Sequence, residues 1–234
     1  MFTATNATDP VYAAIYLCGI AIIPWVAGRL ARGRLVELRR HLLAVIETER
    51  EAVSIIARAA EAKDDVTGNH VIRVGSLAAE LALASGQSSE LAQDLRFAAM
   101  LHDVGKLHIP DEILMKRGPL LPAEFDLVRQ HTLWGQRILG QSAGFELART
   151  VARSHHENWD GSGYPDHLVG RDTPIAARIV HLVDVFDALR AARPYKEAWP
   201  LERAVAEIEA RSGEMFDPDL VTEFLRLVAA GHVD

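Results

Sequence analysis

Cysteine is almost absent from this sequence of 234 residues. Its one cysteine, Cys18, excludes an intramolecular disulfide and a cysteine zinc cluster, so nothing argues for an oxidising compartment. Positive charge is also scarce, because 25 lysines and arginines face 32 aspartates and glutamates, and a net charge of −7 argues against general nucleic-acid binding. A composition that is 49% hydrophobic and 24% charged excludes a wholly disordered chain and a multi-span membrane protein.

One stretch of 18 residues near the start carries no charge. Residues 11–28 read VYAAIYLCGIAIIPWVAG, which as a helix is about 27 Å long, near the lower limit for a membrane span. Five arginines follow between 29 and 40, and no lysine or arginine precedes the stretch, so the positive-inside rule places the following residues in the cytoplasm. We expect a single-pass anchor in the inner membrane; the alternative is a buried or interfacial helix of a cytoplasmic protein.

The next segment, residues 29–62, contains no proline and predicts one continuous helix. Its seam positions recur alternately three and four residues apart, and all but Glu49 are apolar: Leu35, Leu38, Leu42, Val45, Glu49, Ala52, Ile56 and Ala59. This heptad pattern predicts a coiled-coil linker that makes a homodimer through 35–59. An amphipathic helix lying on its own domain is the alternative.

The remaining residues, 63–234, predict a globular domain. Apolar side chains recur at helical spacing and convincing alternating strands are absent, so the predicted class is all-α. The expected organisation is an N-terminal segment over 1–28, a linker over 29–62 and the globular domain over 63–234. The one long irregular stretch is 156–174, and long loops are often functional.

Histidine is abundant, with ten in the chain, and several stand where a metal site would need them. The His102–Asp103 pair ends the apolar run FAAMLHD, His155–His156 ends another helix, and Asp184 interrupts a third apolar run. Burying such groups is costly unless they bind a metal or pair with each other. With His70 and His131 they supply five imidazoles and two carboxylates, a donor set that suits iron, manganese or zinc.

Possible phosphate-binding groups stand near these residues. Lys106 follows Asp103 by three residues, and Arg193 and Lys196 stand just beyond the Asp184 helix. Guanidinium and ammonium groups bind phosphate oxygens. In the loop GSGYP, glycines let the backbone approach a ligand, and Tyr164 offers a ring for stacking or a hydroxyl for a phosphate.

Three motifs together resemble the HD-GYP branch of the HD-domain phosphohydrolases. They are LHDVGKLHIPDEIL at 101–114, HHENWDGSGYP at 155–165 and DVFDALRAARPYK at 184–196, and the resemblance covers about 63 to 231. It implies an all-helical HD-domain bundle and a phosphodiesterase that hydrolyses the bacterial second messenger cyclic di-GMP to linear pGpG or GMP.

The resemblance also implies roles for individual residues. One divalent ion, Fe or Mn, would be held by His70, His102, Asp103 and Asp184, and a second by Asp103, His131, His155 and His156. Asp103 would bridge the ions, and Lys106 would lie beside the phosphate, which makes these two residues the catalytic ones. Lys106, Tyr164, Arg193 and Lys196 would hold the guanine and phosphates of cyclic di-GMP.

One position departs from the pattern of part of the family. A glutamate four residues before the first histidine helps to bind a third metal there, but this chain has Val66. We therefore expect a two-metal site, with hydrolysis beyond pGpG left open. The alternatives are a catalytically weak HD-GYP signalling or binding protein, and an HD phosphohydrolase that acts on another cyclic dinucleotide or on a nucleotide.

Overall fold

The computed structural model describes residues 10–63, 69–192 and 197–233. Within these ranges the chain is helical and has no strand, which confirms the predicted all-α class. The α-helices of the described residues are α1 Pro10–Glu61, α2 His70–Ala84, α3 Ser89–Met100, α4 Asp111–Leu114, α5 Pro122–Arg129, α6 His131–Ile138, α7 Glu146–Ser154, α8 Ile175–Arg190, α9 Leu201–Ala210 and α10 Pro218–Ala229. Short 3₁₀ helices lie at Val104–His108, Ala143–Phe145 and Gly170–Asp172.

The chain divides into two compact units, residues 1–51 and 52–234. In the first unit the described residues belong to α1. The second unit contains the end of α1 and all the other helices. Ala57 and Ala60, on the end of α1, are buried, so this end of the helix belongs to the packed part of the second unit.

The expected membrane anchor over 11–28 is wrong. In the part of the chain that the structure describes, no helix is long and apolar enough to cross a membrane. Side chains of α1 are described continuously from Trp25 onward, and from Arg29 charged residues recur along the helix. From Arg29 onward, these charges leave no stretch of membrane-spanning length that is free of charge.

The core of the second unit is built around α8. The apolar side chains of this helix point in several directions, and Ile179, Val180, Leu182 and Val183 are all fully buried. A helix that is hydrophobic all round is typical of the centre of a fold. Helices α2 and α7 both pack against α8, so the segments that carry His70, His155 and His156 are held against one rigid element.

The start of α10 is capped by a side chain. The Asp217 side chain accepts a hydrogen bond from the backbone N–H of Asp219, and Pro218 occupies the first turn. An N-cap side chain satisfies an N–H group that has no partner within the helix. The sequence therefore specifies where this helix begins.

A glycine allows the segment after α3 to approach α6 closely. A Cβ atom on Gly105 would overlap the carbonyl oxygen of His131 and would lie 2.6 Å from the backbone nitrogen of Gly135. Only glycine fits such a close approach of two backbones. This contact holds the segment that follows Asp103 against the first turn of α6, where His131 begins the helix.

Candidate metal centre

Helix ends carry most of the candidate ligands. His70 begins α2 and His131 begins α6, whereas the pairs 102–103 and 155–156 follow α3 and α7, and Asp184 lies within α8. The structure brings all seven predicted ligands into two groups, and within each group the candidate ligand atoms lie within 4.8 Å of one another: Asp103, His131, His155 and His156 form one, and His70, His102 and Asp184 form the other.

In the first group the imidazoles surround one oxygen of Asp103. The Nε2 atoms of His131 and His155 lie 3.2 Å and 3.6 Å from Asp103 Oδ1, and 3.4 Å from each other. The ring of His156 packs against that of His155, with centroids 4.1 Å apart. Three imidazoles and a carboxylate oxygen thus converge on one point.

The second group faces the other oxygen of Asp103. His70 Nε2 lies 3.1 Å from Asp184 Oδ1, and His102 Nε2 lies 3.6 Å from the same atom. His102 Nε2 is also 3.2 Å from Asp103 Oδ2. Asp103 therefore stands between the two groups and presents one oxygen to each.

The opposite edge of four imidazoles is held by hydrogen bonds. The Nδ1 of His70 lies 2.7 Å from Asp187 Oδ2, and those of His102 and His131 lie 2.7 Å from the carbonyl oxygens of Ala99 and Val128. The Nδ1 of His155 lies 3.0 Å from the carbonyl oxygen of Val151. Such contacts fix the orientation of the ring and direct Nε2 towards the metal.

Two buried atoms at the centre of the site test whether a metal ion fits there. Among the described residues, His102 Nε2 and Asp103 Oδ1 have no hydrogen-bond partner. A buried polar atom without a partner is costly, and a cation coordinated by both groups would satisfy these atoms. Imidazole and carboxylate donors together are typical of transition-metal sites. The residues present therefore fit divalent metal ions.

Opposite charges stabilise the ionised forms of the site. Burial would lower the pKa of His70 and of His102, but neighbouring carboxylates outweigh it and raise these values to about 10 and about 9. Burial would likewise raise the pKa of Asp103, but Lys106 and His102 hold it well below its ordinary value. Both Asp103 and Asp184, whose pKa is also lowered, are thus ionised and ready to act as ligands.

Of the other predicted site residues, two lie beside the candidate ligands and two lie outside the described residues. Lys106 Nζ lies 2.7 Å from Asp103 Oδ2, and the ring of Tyr164 stacks on His156 with centroids 4.8 Å apart. Burial raises the pKa of Tyr164, so its hydroxyl remains protonated and can donate a hydrogen bond. Arg193 and Lys196 lie outside the described residues, as does Val66, so the roles expected for them stay predictions.

The glycines of the GSGYP loop approach the protein's own backbone. A Cβ atom on Gly163 would overlap the carbonyl oxygen of His156 and the backbone nitrogen of Asn158. The side chain of Glu157, which is buried, accepts hydrogen bonds from the backbone N–H groups of Asp166 and Leu168. Compact packing of this loop, rather than space for a ligand, explains the glycine at position 163.

Sequence reasoning missed two residues that contact the site. Asp187 lies three residues after Asp184 in the same apolar helix, and it accepts hydrogen bonds from Arg73 as well as contacting His70. Like Asp184, Asp187 interrupts an apolar run, and a buried carboxylate needs a cation or strong donors. Arg129, beside Tyr164, carries no comparable signal in the sequence.

Replacing Asp187 by asparagine should weaken metal binding without removing a ligand. The amide loses the charge that orients His70, and loss of such a supporting carboxylate lowers metal affinity or activity by about 10- to 100-fold. Titration of the chelator-treated protein with Mn²⁺ measures the effect. The control is Asp219→Asn, which alters an exposed aspartate–arginine pair; equal affinities in all three proteins would contradict this role.

His181 should make the protein sensitive to acid. Its side chain is buried, and burial lowers its pKa to about 4. As the pH falls, the unfolded chain, with a histidine pKa near 6.5, binds the proton before the folded protein does. The contribution of neutral His181 to the stability of the folded state is therefore complete above about pH 6.5 and is lost as the pH falls towards 4. Between pH 7 and pH 5 this one group should lower the free energy of unfolding by about 2 kcal/mol.

Urea unfolding at the two pH values, in the presence of chelator, measures this effect. His181→Gln should show an acid-induced loss of stability that is smaller by that amount, and the exposed His41→Gln should behave as the wild type. An unchanged pH dependence in His181→Gln would show that this imidazole is not the group responsible.

Comparison with known proteins found a matching family model and similar curated proteins. A family model described as HD domain matches residues 54–220. A cyclic di-GMP phosphodiesterase of Thermotoga maritima is 45% identical over 179 residues, which cover 76% of this chain and 49% of that protein. A 3′3′-cGAMP-specific phosphodiesterase 2 of Vibrio cholerae is 44% identical over 177 residues, covering 75% of this chain and 34% of that protein.

A solved structure shares the fold at low sequence identity. It is an HDGYP protein from Bdellovibrio bacteriovorus, with a TM-score of 0.58 and 19% identity, and the match covers 77% of this chain and 62% of that one. The chain spans about half the length, or less, of the curated relatives it is compared with above.

Proposed function

This chain belongs to the HD-domain family, and we propose that it is a metal-dependent phosphodiesterase that hydrolyses cyclic di-GMP to pGpG. The observation that carries the proposal is the position of Asp103 between two groups of metal-binding side chains. The similarity to the Thermotoga maritima phosphodiesterase supports the choice of substrate. The similarity to the Vibrio cholerae protein makes 3′3′-cGAMP the second candidate substrate.

Two divalent ions, iron or manganese, fit the ligand arrangement. We assign one to His70, His102, Asp103 and Asp184, and the other to Asp103, His131, His155 and His156. When bound, the ions supply Lewis-acid activation of water and of the phosphodiester. Elemental analysis should find two ions per chain, and three would contradict the argument from Val66.

Some residues around the ligands orient the imidazoles, and others are proposed to bind the substrate. Backbone carbonyls and Asp187 keep the imidazoles oriented, so little rearrangement is needed when substrate binds. The ammonium group of Lys106 lies beside Asp103, which supports a role in offsetting negative charge that develops on the phosphate. The protonated hydroxyl of Tyr164 can donate to a phosphate or a base. Arg193 and Lys196 are proposed to bind substrate as well.

Hydrolysis of cyclic di-GMP by the anaerobically purified chain tests the proposal. The protein is supplied with Mn²⁺ or Fe²⁺ and the products are separated by chromatography. We expect pGpG to accumulate, and its conversion to GMP would contradict the expected limit of a two-metal site. A panel of cyclic dinucleotides tests the substrate, and a metal-loaded protein without turnover on any of them would indicate a binding role instead.

The apolar seam of α1 supports a coiled-coil dimer through 35–59. The seam side chains Leu38, Leu42, Val45 and Ile56 are all more than half exposed. At the end of the helix, Ala57 and Ala60 are buried in the second unit while Ile56 stays exposed, so this seam position does not pack within that unit. Apolar side chains with this spacing become buried when a second copy of the helix packs against them in a coiled coil.

Sedimentation of the full chain distinguishes a monomer from a dimer. Leu42→Asp places a charge in the seam and should shift the protein to a monomer. Leu43→Asp is the matched control, because Leu43 is equally apolar and exposed but lies off the seam. A wild type that is monomeric at high micromolar concentration would contradict the dimer.

A further inference from the structure

Arg129, the last residue of α5, lies beside the metal centre and has no part in the proposed chemistry so far. The carbon at the centre of its guanidinium group is 4.6 Å from the ring centroid of Phe125 and 5.2 Å from that of Tyr164. Cations are attracted to the faces of aromatic rings, so these two rings restrict where the guanidinium can lie. Phe125 and Arg129 are four residues apart on one helix, which makes this contact part of the local structure.

Tyr164 connects this guanidinium to the metal centre. Its ring stacks on His156, with an interplanar angle of 29°, and meets His131 edge to face at 6.4 Å between centroids. Both histidines belong to the group around Asp103. Arg129 therefore lies at the rim of the site, one aromatic ring away from the candidate ligands.

The hydrogen-bonding capacity of Arg129 is largely unused within the described structure. Its nearest carboxylate, Asp126, lies 4.0 Å away in an exposed pair, and such pairs contribute little. Among the described residues, its Nε atom is buried without a hydrogen-bond partner. A guanidinium carries five N–H donors in a fork that matches the oxygens of a phosphate.

We propose that Arg129 binds the phosphate of the cyclic dinucleotide that is not being cleaved, an inference that rests on the proposed function. A cyclic dinucleotide carries two phosphates, and the metal centre takes one of them. The second needs a positive charge at the rim, and a protein with a net charge of −7 must provide it locally. A phosphate, rather than a neutral base, is assigned because a full negative charge is attracted more strongly to the guanidinium.

Competition against a simple phosphodiester measures this contact without requiring turnover of the nucleotide. The chromogenic substrate bis(p-nitrophenyl) phosphate has one phosphate, so its hydrolysis reports on the metal centre. Cyclic di-GMP is added as inhibitor, and its inhibition constant is compared between the wild type, Arg129→Ala and Arg129→Lys. Arg137→Ala, on the exposed side of α6, is the matched control.

We expect Arg129→Ala to raise the inhibition constant about 10- to 100-fold, the effect of losing a charged hydrogen bond. The fold-change in the inhibition constant should be at least ten times the fold-change in the rate of bis(p-nitrophenyl) phosphate hydrolysis. Arg129→Lys keeps the charge but loses the fork, so it should lie between the wild type and Arg129→Ala. Arg137→Ala should match the wild type in both measurements.

Other outcomes would overturn the assignment. An unchanged inhibition constant would show that Arg129 does not contact the nucleotide. Equal losses in both measurements would show that Arg129 acts on the metal centre through Tyr164. Cyclic di-AMP separates phosphate from base, because a phosphate contact predicts the same fold-change for both nucleotides, and a loss confined to cyclic di-GMP would assign Arg129 to the guanine instead.

The proposed function fails in a different way. A wild type that binds cyclic di-GMP in this competition but does not hydrolyse it would contradict the proposed activity while leaving the Arg129 contact measurable. A wild type that hydrolyses bis(p-nitrophenyl) phosphate but is not inhibited by cyclic di-GMP would contradict both proposals.

Discussion

Replacing Asp103 by alanine should remove metal binding from both groups of ligands and abolish phosphodiester hydrolysis with it. The two oxygens of Asp103 face different groups, so no other side chain among the predicted ligands contacts both in the same way. The variant also leaves the imidazoles of His102 and His131 without their carboxylate partner. We expect activity to fall by at least about a hundredfold, as when one strong electrostatic group is removed from an active site.

Metal content and hydrolysis should be measured on the same preparations. The control is Asp94→Ala, which removes a carboxylate from the exposed side of α3, the helix that leads to the site. Retention of two ions per chain by Asp103→Ala would show that the groups bind metal independently. Retention of full turnover would contradict the assignment of Asp103 altogether.

Replacing Lys106 by methionine should lower kcat by about 10²- to 10³-fold while both ions remain bound. Methionine keeps most of the volume and removes the charge, and the side chain of Lys106 is mostly buried, so its charge acts in a medium of low polarity. If Lys106 stabilises charge that develops during the reaction, kcat falls more than KM rises.

Lys116→Met is the matched control, because Lys116 pairs with Glu124 on the surface. This substitution should leave kcat unchanged. Loss of metal from Lys106→Met would assign this lysine to the structure of the site. Lys106 also helps to keep the pKa of Asp103 low, so a metal titration at several pH values separates the two effects.

Part of the donor set was predictable because it consists of local exceptions to hydrophobic patterning. His102, Asp103 and Asp184 each interrupt or end an apolar run, and a buried charge at such a position needs a partner. The same logic would have found Asp187, whose contact with His70 supports the second group of ligands. His181 looks similar in sequence, yet its Nε2 contacts Asn158 in the loop, and it belongs to neither group of ligands.

The N-terminal stretch shows where local reasoning fails. An uncharged run of 18 residues followed by arginines predicted a membrane span, but its length is marginal for that purpose. Helical periodicity in 29–62 predicted a continuous helix, and α1 is continuous to Glu61. Periodicity specifies the element, whereas the solvent or partner that covers its apolar face is not encoded in the spacing alone.

The sequence by itself determined the helical class, the seven candidate ligands and membership of the HD-domain family, because periodicity, side-chain chemistry and motif order are properties of neighbouring residues. The family resemblance already implied the division of these ligands into two groups with Asp103 between them. Only the tertiary structure supplied the distances at which the side chains of the two groups meet. It also brought Asp187 to His70 and Arg129 to Tyr164. These contacts join residues far apart in the chain, and the packing of separate helices around α8 determines which of them meet.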